Sequence, residues 1–182
     1  MFLNMIRLEP RNVHWLGDKD HAPWDKCAHG QVFMEIDGIV LVEEGEDDWN
    51  LSAGALHLLR TLEKSHSFES PLFENLIPCC GHGMYKIDEE PGLVIIGCPN
   101  GINFQVIHTD DGVNIVKDGH PRTINMESWR WAVVRFSEAV KSFYDSSDPK
   151  VMDDEIESEG FNQFMKEWDQ RHSSSVRDLK SN

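Results

Sequence analysis

No stretch of this 182-residue chain approaches the ~20 consecutive apolar residues that a helix needs to cross a bilayer, so no membrane-spanning role is expected. Basic side chains are scarce: 17 Lys and Arg stand against 32 Asp and Glu, a formal charge of -15. That excess repels nucleic acid and anionic membrane surfaces, and makes a basic partner the natural counterpart. The competing explanation is that the acids serve solubility alone. The opening Met1-Phe2-Leu3-Asn4-Met5-Ile6-Arg7 lacks a basic n-region and a small-residue cleavage site, so a cytoplasmic location is expected. Cysteines are few. Cys27, Cys79, Cys80 and Cys98 include an adjacent pair, and a chain of this size can build its core without disulfides, so all four are expected as reduced thiols.

What is present reads as an α+β fold: an antiparallel sheet of five to seven strands, made of a hairpin plus a meander and covered by two amphipathic helices, with a short C-terminal helix. One domain over 1–172 and a disordered tail over 173–182 are expected. The opening to Asp25 reads mostly as loop, with a short strand-like piece over 13–16. Val32, Met34 and Ile36 alternate at strand period, and Asp37-Gly38 before 39–42 signals a tight hairpin. Leu51, Ala55, Leu58, Leu59 and Leu62 predict a helix over 51–66 packed by one face, capped by Asn50 or Ser52. His57 and His66 fall near its ends as surface or half-buried histidines. The runs 93–96 and 102–107 look like central strands. Asp110-Asp111-Gly112 and Asp118-Gly119 then link a meander, and Asn125 caps a helix over 126–144 whose stripe is Trp129, Val133, Phe136, Val140 and Phe143. Residues 145–154 read as an exposed linker. Phe161, Phe164, Met165 and Trp168 mark the last helix, over 161–172.

Chemistry-bearing residues gather in Cys27-Ala28-His29 and Cys79-Cys80-Gly81-His82, with Cys98 downstream. Thiolate and imidazole suit zinc, but adjacent cysteines and isolated Cys-x-His pairs are not the two-to-four-residue spacing of structural zinc sites. No metal and no cofactor is therefore expected; if a metal were bound, Cys27, His29, Cys80 and His82 would hold it. A nucleophilic Cys79 or Cys80 beside His82 lacks an orienting acid and an oxyanion hole. Cys98-Pro99-Asn100-Gly101 lacks the Lys and following helix of a phosphate-binding loop, and reads as a turn. Trp129, Trp168 and Trp49 fall where core packing explains them. Trp131 and Val134 lie off their helix's main stripe, as a second core face or an exposed contact surface.

Cys27-Ala28-His29-Gly30, Trp49-Asn50-Leu51-Ser52, Leu58-Leu59-Arg60-Thr61-Leu62, Pro78-Cys79-Cys80-Gly81-His82 and Gly97-Cys98-Pro99-Asn100-Gly101 resemble motifs of a group of bacterial proteins that is similar to the immunity proteins of polymorphic toxin systems. The likeness runs to about Tyr144 and carries no catalytic residue. It implies a small cytoplasmic protein, not an enzyme, that binds and blocks a cognate toxin through a complementary surface. The acids Glu43, Glu44, Glu46, Asp47 and Asp48, on a hairpin end beside Trp49, are the expected contacts, combining electrostatic steering with an aromatic anchor. A zinc- or thiol-dependent enzyme using Cys27, His29, Cys79, Cys80, His82 and Cys98, or a domain with another protein-binding role, are the alternatives.

Overall fold

The computed structural model describes residues 5–17, 20–43, 45, 47–80, 83–89 and 92–181. Its first sheet joins β1 (Ile6–His14), β2 (His29–Ile36), β3 (Ile39–Val42) and the two-residue β4 (Trp49–Asn50). Every pairing is antiparallel, in the order β1-β2-β3, with β4 against the start of β2 through His29 and Asn50. Asp37 at φ 50° and Gly38 at φ 81° make the tight β2-β3 turn expected of an Asp-Gly pair.

The nine-residue β1 corrects the expectation of a loop over the opening segment. Pro10 is tolerated there because β1 is an edge strand and pairs on one side only. Arg7, Glu9 and Arg11 project from the same side, with Glu9 between the two arginines and both guanidinium groups over the Phe33 ring, at 4.9 Å and 4.4 Å. Charges that read as loop are the outer face of a strand.

Helix α1 (Leu51–Arg60) is capped by the Asn50 side chain, which accepts from the Ala53 N–H at 2.9 Å. It stops at Arg60 rather than continuing to residue 66, and all ten of its residues are buried, so the expectation of a one-faced helix is corrected as well. The small residues Ser52, Ala53, Gly54 and Ala55 explain this, because they let neighbouring backbone approach from the side where a bulky residue would hold it off. A Cβ on Gly54 would stand 3.1 Å from Ile77 of β5 (Ile77–Pro78).

The runs expected as central strands are divided among small sheets. β6 (Gly83–Lys86) pairs with β7 (Leu93–Ile96) as a two-stranded ribbon that leaves Val94 and Ile96 exposed. β8 (Gly101–Ile102) pairs with β5, and the strand ends there, residues 103–104 linking it to a separate meander. An apolar run states burial pressure, not the number of strand partners. The meander itself is as expected: β9 (Gln105–Thr109), β10 (Gly112–Lys117) and β11 (His120–Ile124), with Asp118 and Gly119 both at positive φ in the second turn.

Helix α2 (Met126–Asp145) carries its Asn125 cap, and Trp129, Val133, Phe136 and Val140 are buried as the stripe requires. Val134 is buried too, whereas Trp131 is exposed under the Arg135 guanidinium. Trp49, expected in the core, is half-buried at its edge. Helix α3 (Glu155–Ser181) is 27 residues long and corrects both the short C-terminal helix and the disordered tail, since residues 173–181 are its last turns. Those turns need little apolar content because one narrow face touches the protein, through buried Ser175 and an Arg130–Asp178 ion pair of 3.6 Å. At the other end Gly160 lies so close to β6 that a Cβ there would overlap the Met84 carbonyl. α1 thus sits between α2, α3, β2 and β5, with Trp129, Phe136, Phe164 and Trp168 fully buried around it.

Candidate functional site

Two adjoining depressions open on one face and share Lys26, Cys27 and Glu157 as their common wall. The larger, of about 400 Å³, includes Leu16, Trp24, Asp25, His29 and Asp48. The smaller, of about 230 Å³, includes Tyr85, Asp153, Asp154 and Ile156. Leu16, Trp24, Tyr85 and Ile156 are apolar yet 44–66% exposed, and they line the depressions together with carboxylates. The acids of the hairpin end reach it through Asp48.

Local structure explains how each group is held. The segment before β2 turns through Pro23, which supplies the fixed φ of a short 3-10 turn over Ala22–Trp24. Asp25 ties that loop together: its carboxylate accepts from the Leu16 N–H at 2.7 Å and the Cys27 N–H at 3.1 Å, and faces His29 Nε2 at 3.6 Å. Burial alone would raise the Asp25 carboxyl, but His29 and these two N–H groups hold it below the usual range. Lys26 Nζ lies 2.8 Å from Glu157 and 3.9 Å from Asp153, tying the start of α3 to the loop. The linker over 146–154 seals the loop's other side. The Val151 N–H donates to the Pro23 carbonyl, and Lys150 Nζ donates to the Ala22 carbonyl at 2.9 Å while stacking on Trp15. Burial pulls the Lys150 ammonium down to about 8.

Of the expected partner-binding residues, Glu43, Asp47 and Asp48 are exposed, Trp49 is half-buried beside them, and Glu44 and Glu46 lie outside the described residues. Asp48 is anchored by Gln31 at 3.0 Å and His14 at 3.3 Å. Trp24, Leu16 and Ile156 were not expected at the site. The signal for Trp24 was present in Pro23-Trp24-Asp25, an aromatic beside proline and acid where no strand or helix could bury it.

The cysteines depart from expectation. Cys79 and Cys98 are joined in a disulfide, which corrects the expectation that all four are reduced. The sulfurs of Cys79, Cys80 and Cys98 lie within 4.8 Å of one another, whereas the pairing expected to hold any metal among the six Cys and His candidates was Cys27 and His29 with Cys80 and His82. Cys27, His29, Cys79 and Cys80 do line the larger depression together, and His82 lies outside the described residues. Cys27 is buried, and burial pushes its thiol up to about 12, the opposite of what a nucleophile needs.

His57 and His66 correct the expectation of surface positions. His57 is buried, stacks on Phe73 at 3.7 Å between ring centres and meets the Asn75 and Leu76 carbonyls. Burial and the nearby Arg60 push its imidazole down to about 3, so it is a neutral donor. His66 is buried between the Asn103 side chain and the Leu72 N–H.

Family models, curated proteins and solved structures were each compared with the chain. It matches none of them. Among the described residues no helix is long and apolar enough to cross a membrane.

Proposed function

We propose that the protein is an immunity-type inhibitor, acting in the cytoplasm, that binds a cognate basic toxin through the acid-rimmed cleft. The observation that carries this reading is the grouping of exposed apolar side chains, Leu16, Trp24, Tyr85 and Ile156, with Asp48, Asp153, Asp154 and Glu157 in the lining of two adjoining depressions. A partner surface that presents Lys and Arg around an apolar knob fits both features: the carboxylates steer its approach, and the aromatics supply buried area at the centre. The formal charge of -15 extends the steering beyond the contact itself. A toxin whose active site is basic would be blocked by occupation, with no chemistry required of the inhibitor. The hairpin-end residues Glu43, Asp47 and Asp48 belong to the edge of the same surface rather than to its centre.

The test is protection. Cells expressing a basic toxin encoded beside this gene should survive when the protein is co-expressed. Trp24→Ala combined with Asp153→Lys should abolish survival without moving the unfolding transition, because both side chains are exposed. Full protection by that double variant would remove the cleft from the interface, and failure of the unaltered protein to protect would remove the inhibitor reading.

A further inference from the structure

Two of the three clustered sulfurs come from one tight segment and the third from its paired neighbour. Cys79 and Cys80 follow β5 directly, and Cys98 precedes β8. The β5-β8 pairing of Ile77 with Ile102 and Pro78 with Gly101 holds the segments side by side, and the Cys79 N–H donates to the Asn100 carbonyl at 2.9 Å. A disulfide needs two of these sulfurs and leaves the third unexplained. Cys80 is nevertheless aimed at the same point, and its sulfur accepts the Cys98 N–H at 3.1 Å.

We propose that Cys79, Cys80 and Cys98, in their reduced form, constitute a three-thiolate site for zinc. Zinc binds thiolate sulfur at about 2.3 Å with tetrahedral angles, which sets ligand sulfurs about 3.8 Å apart. The three sulfurs already lie within 4.8 Å of one another, close enough for one ion to reach all three once the Cys79–Cys98 bond is broken. All three are partly exposed, and the cluster borders both the larger depression, through Cys79 and Cys80, and a second cavity of about 280 Å³ through Cys80 and Cys98. The ion therefore has a path in, and its fourth position is left to a ligand outside the three thiolates. Soft thiolates select zinc over magnesium or calcium. Cys27 and His29 stand apart from this set: the first is buried, and the second is turned to Asp25.

The disulfide and the metal site are alternative states of the same atoms. Reduction breaks the Cys79–Cys98 sulfur-sulfur bond and adds two electrons and two protons, giving two thiols. With a water-soluble phosphine as reductant, the phosphine becomes its oxide and water supplies the oxygen and both protons. Zinc then displaces the thiol protons as three zinc-sulfur bonds form. In a reducing cytoplasm the thiol form would be the resident one.

The experiment uses the full chain, without oxygen, in phosphine-reduced and oxidised forms, titrated with cobalt(II) as the spectroscopic stand-in for zinc. The reduced protein should bind one cobalt per chain, with intense sulfur-to-metal charge-transfer absorption that one equivalent of zinc removes. The oxidised protein should show none. Cys80→Ser and Cys98→Ser should each weaken binding by more than about a hundredfold, beyond the usual effect of an outer-shell partner, whereas Cys27→Ser should leave it intact. A reduced wild type without charge-transfer absorption would overturn the proposal, whatever the variants do. So would binding that persists unchanged in the oxidised protein, or binding lost in Cys27→Ser and kept in Cys98→Ser.

Discussion

Arg60 and Glu167 meet behind α1 at 2.7 Å with side chains only 8% and 6% exposed, while Lys26 and Glu157 meet at the wall of the cleft at 2.8 Å with 16% and 33% exposed. The distances are nearly the same and the physics is not. The inner pair is bidentate, Arg60 also donates to the Leu93 carbonyl, and Arg171 shares Glu167 from the next turn of α3, so each charge is satisfied inside the protein. Such a group adds little net stability over an apolar replacement but fixes how α3 docks on α1. The outer pair is only partly shielded from water, where an ion pair contributes less to folding, and its carboxylate also accepts the Asp153 N–H at 2.6 Å. One cluster of charge ties helices together inside the protein, and the other lies in the wall of the cleft proposed to meet a partner.

The largest effect should come from breaking the inner pair on one side only. Glu167→Leu leaves the Arg60 guanidinium buried without its carboxylate and should cost about 3 to 5 kcal/mol in chemical denaturation. Adding Arg60→Met should restore most of it, because the loss lies in the stranded charge. If the double variant is as unstable as the single, the pair is a source of net stability and the contrast with the cleft disappears. Next comes Phe136→Ala on α2, a fully buried ring whose removal should cost about 3 kcal/mol or somewhat more. An unchanged denaturation midpoint would contradict its place in the core.

How far the sequence disclosed this contrast differs between the two regions. The α2 stripe, the Asn50 and Asn125 caps and both Asp-Gly turns were legible because each depends on local geometry, in which a side chain answers to its own backbone. The complete burial of α1 was not, since Ser52, Gly54 and Arg60 look like a polar face until α3 supplies a carboxylate 107 positions away. The strand at the opening was missed for the converse reason: Arg7, Glu9 and Arg11 were read by charge when their spacing of two was the signal. At the cleft, the acids of the hairpin end were visible as a run. Trp24 and Ile156 were not, because their exposure depends on which loop faces which helix end.

The pH response separates the regions again. His57 has an ordinary value of 6.5 and is pushed down to about 3 in the folded protein, chiefly by burial. The unfolded chain therefore takes up the proton first, so this contribution is complete above about pH 6.5 and is lost progressively as pH falls toward about 3. Going from about pH 7 to about pH 5.5 should cost on the order of 1 kcal/mol through this group. His57→Gln should flatten that part of the stability curve; an equally steep curve in the variant would place the sensitivity elsewhere.

The smallest effect on folding, and the one that bears most directly on the partner, is expected from the hairpin end. Glu43 and Asp47 are exposed, so Glu43→Lys with Asp47→Lys should move stability by no more than about 0.5 kcal/mol. The steering role proposed for them predicts a separate signature in kinetics. Association with the cognate toxin should slow markedly at low ionic strength and much less near physiological salt, where the Debye length of about 8 Å screens charges at the edge of a contact. Dissociation should change little, because neither residue is among the apolar side chains of the cleft. If instead dissociation accelerates and association is unmoved, these two carboxylates lie inside the contact and the cleft is its margin. If neither rate moves, they keep a loop hydrated and the interface begins at Asp48.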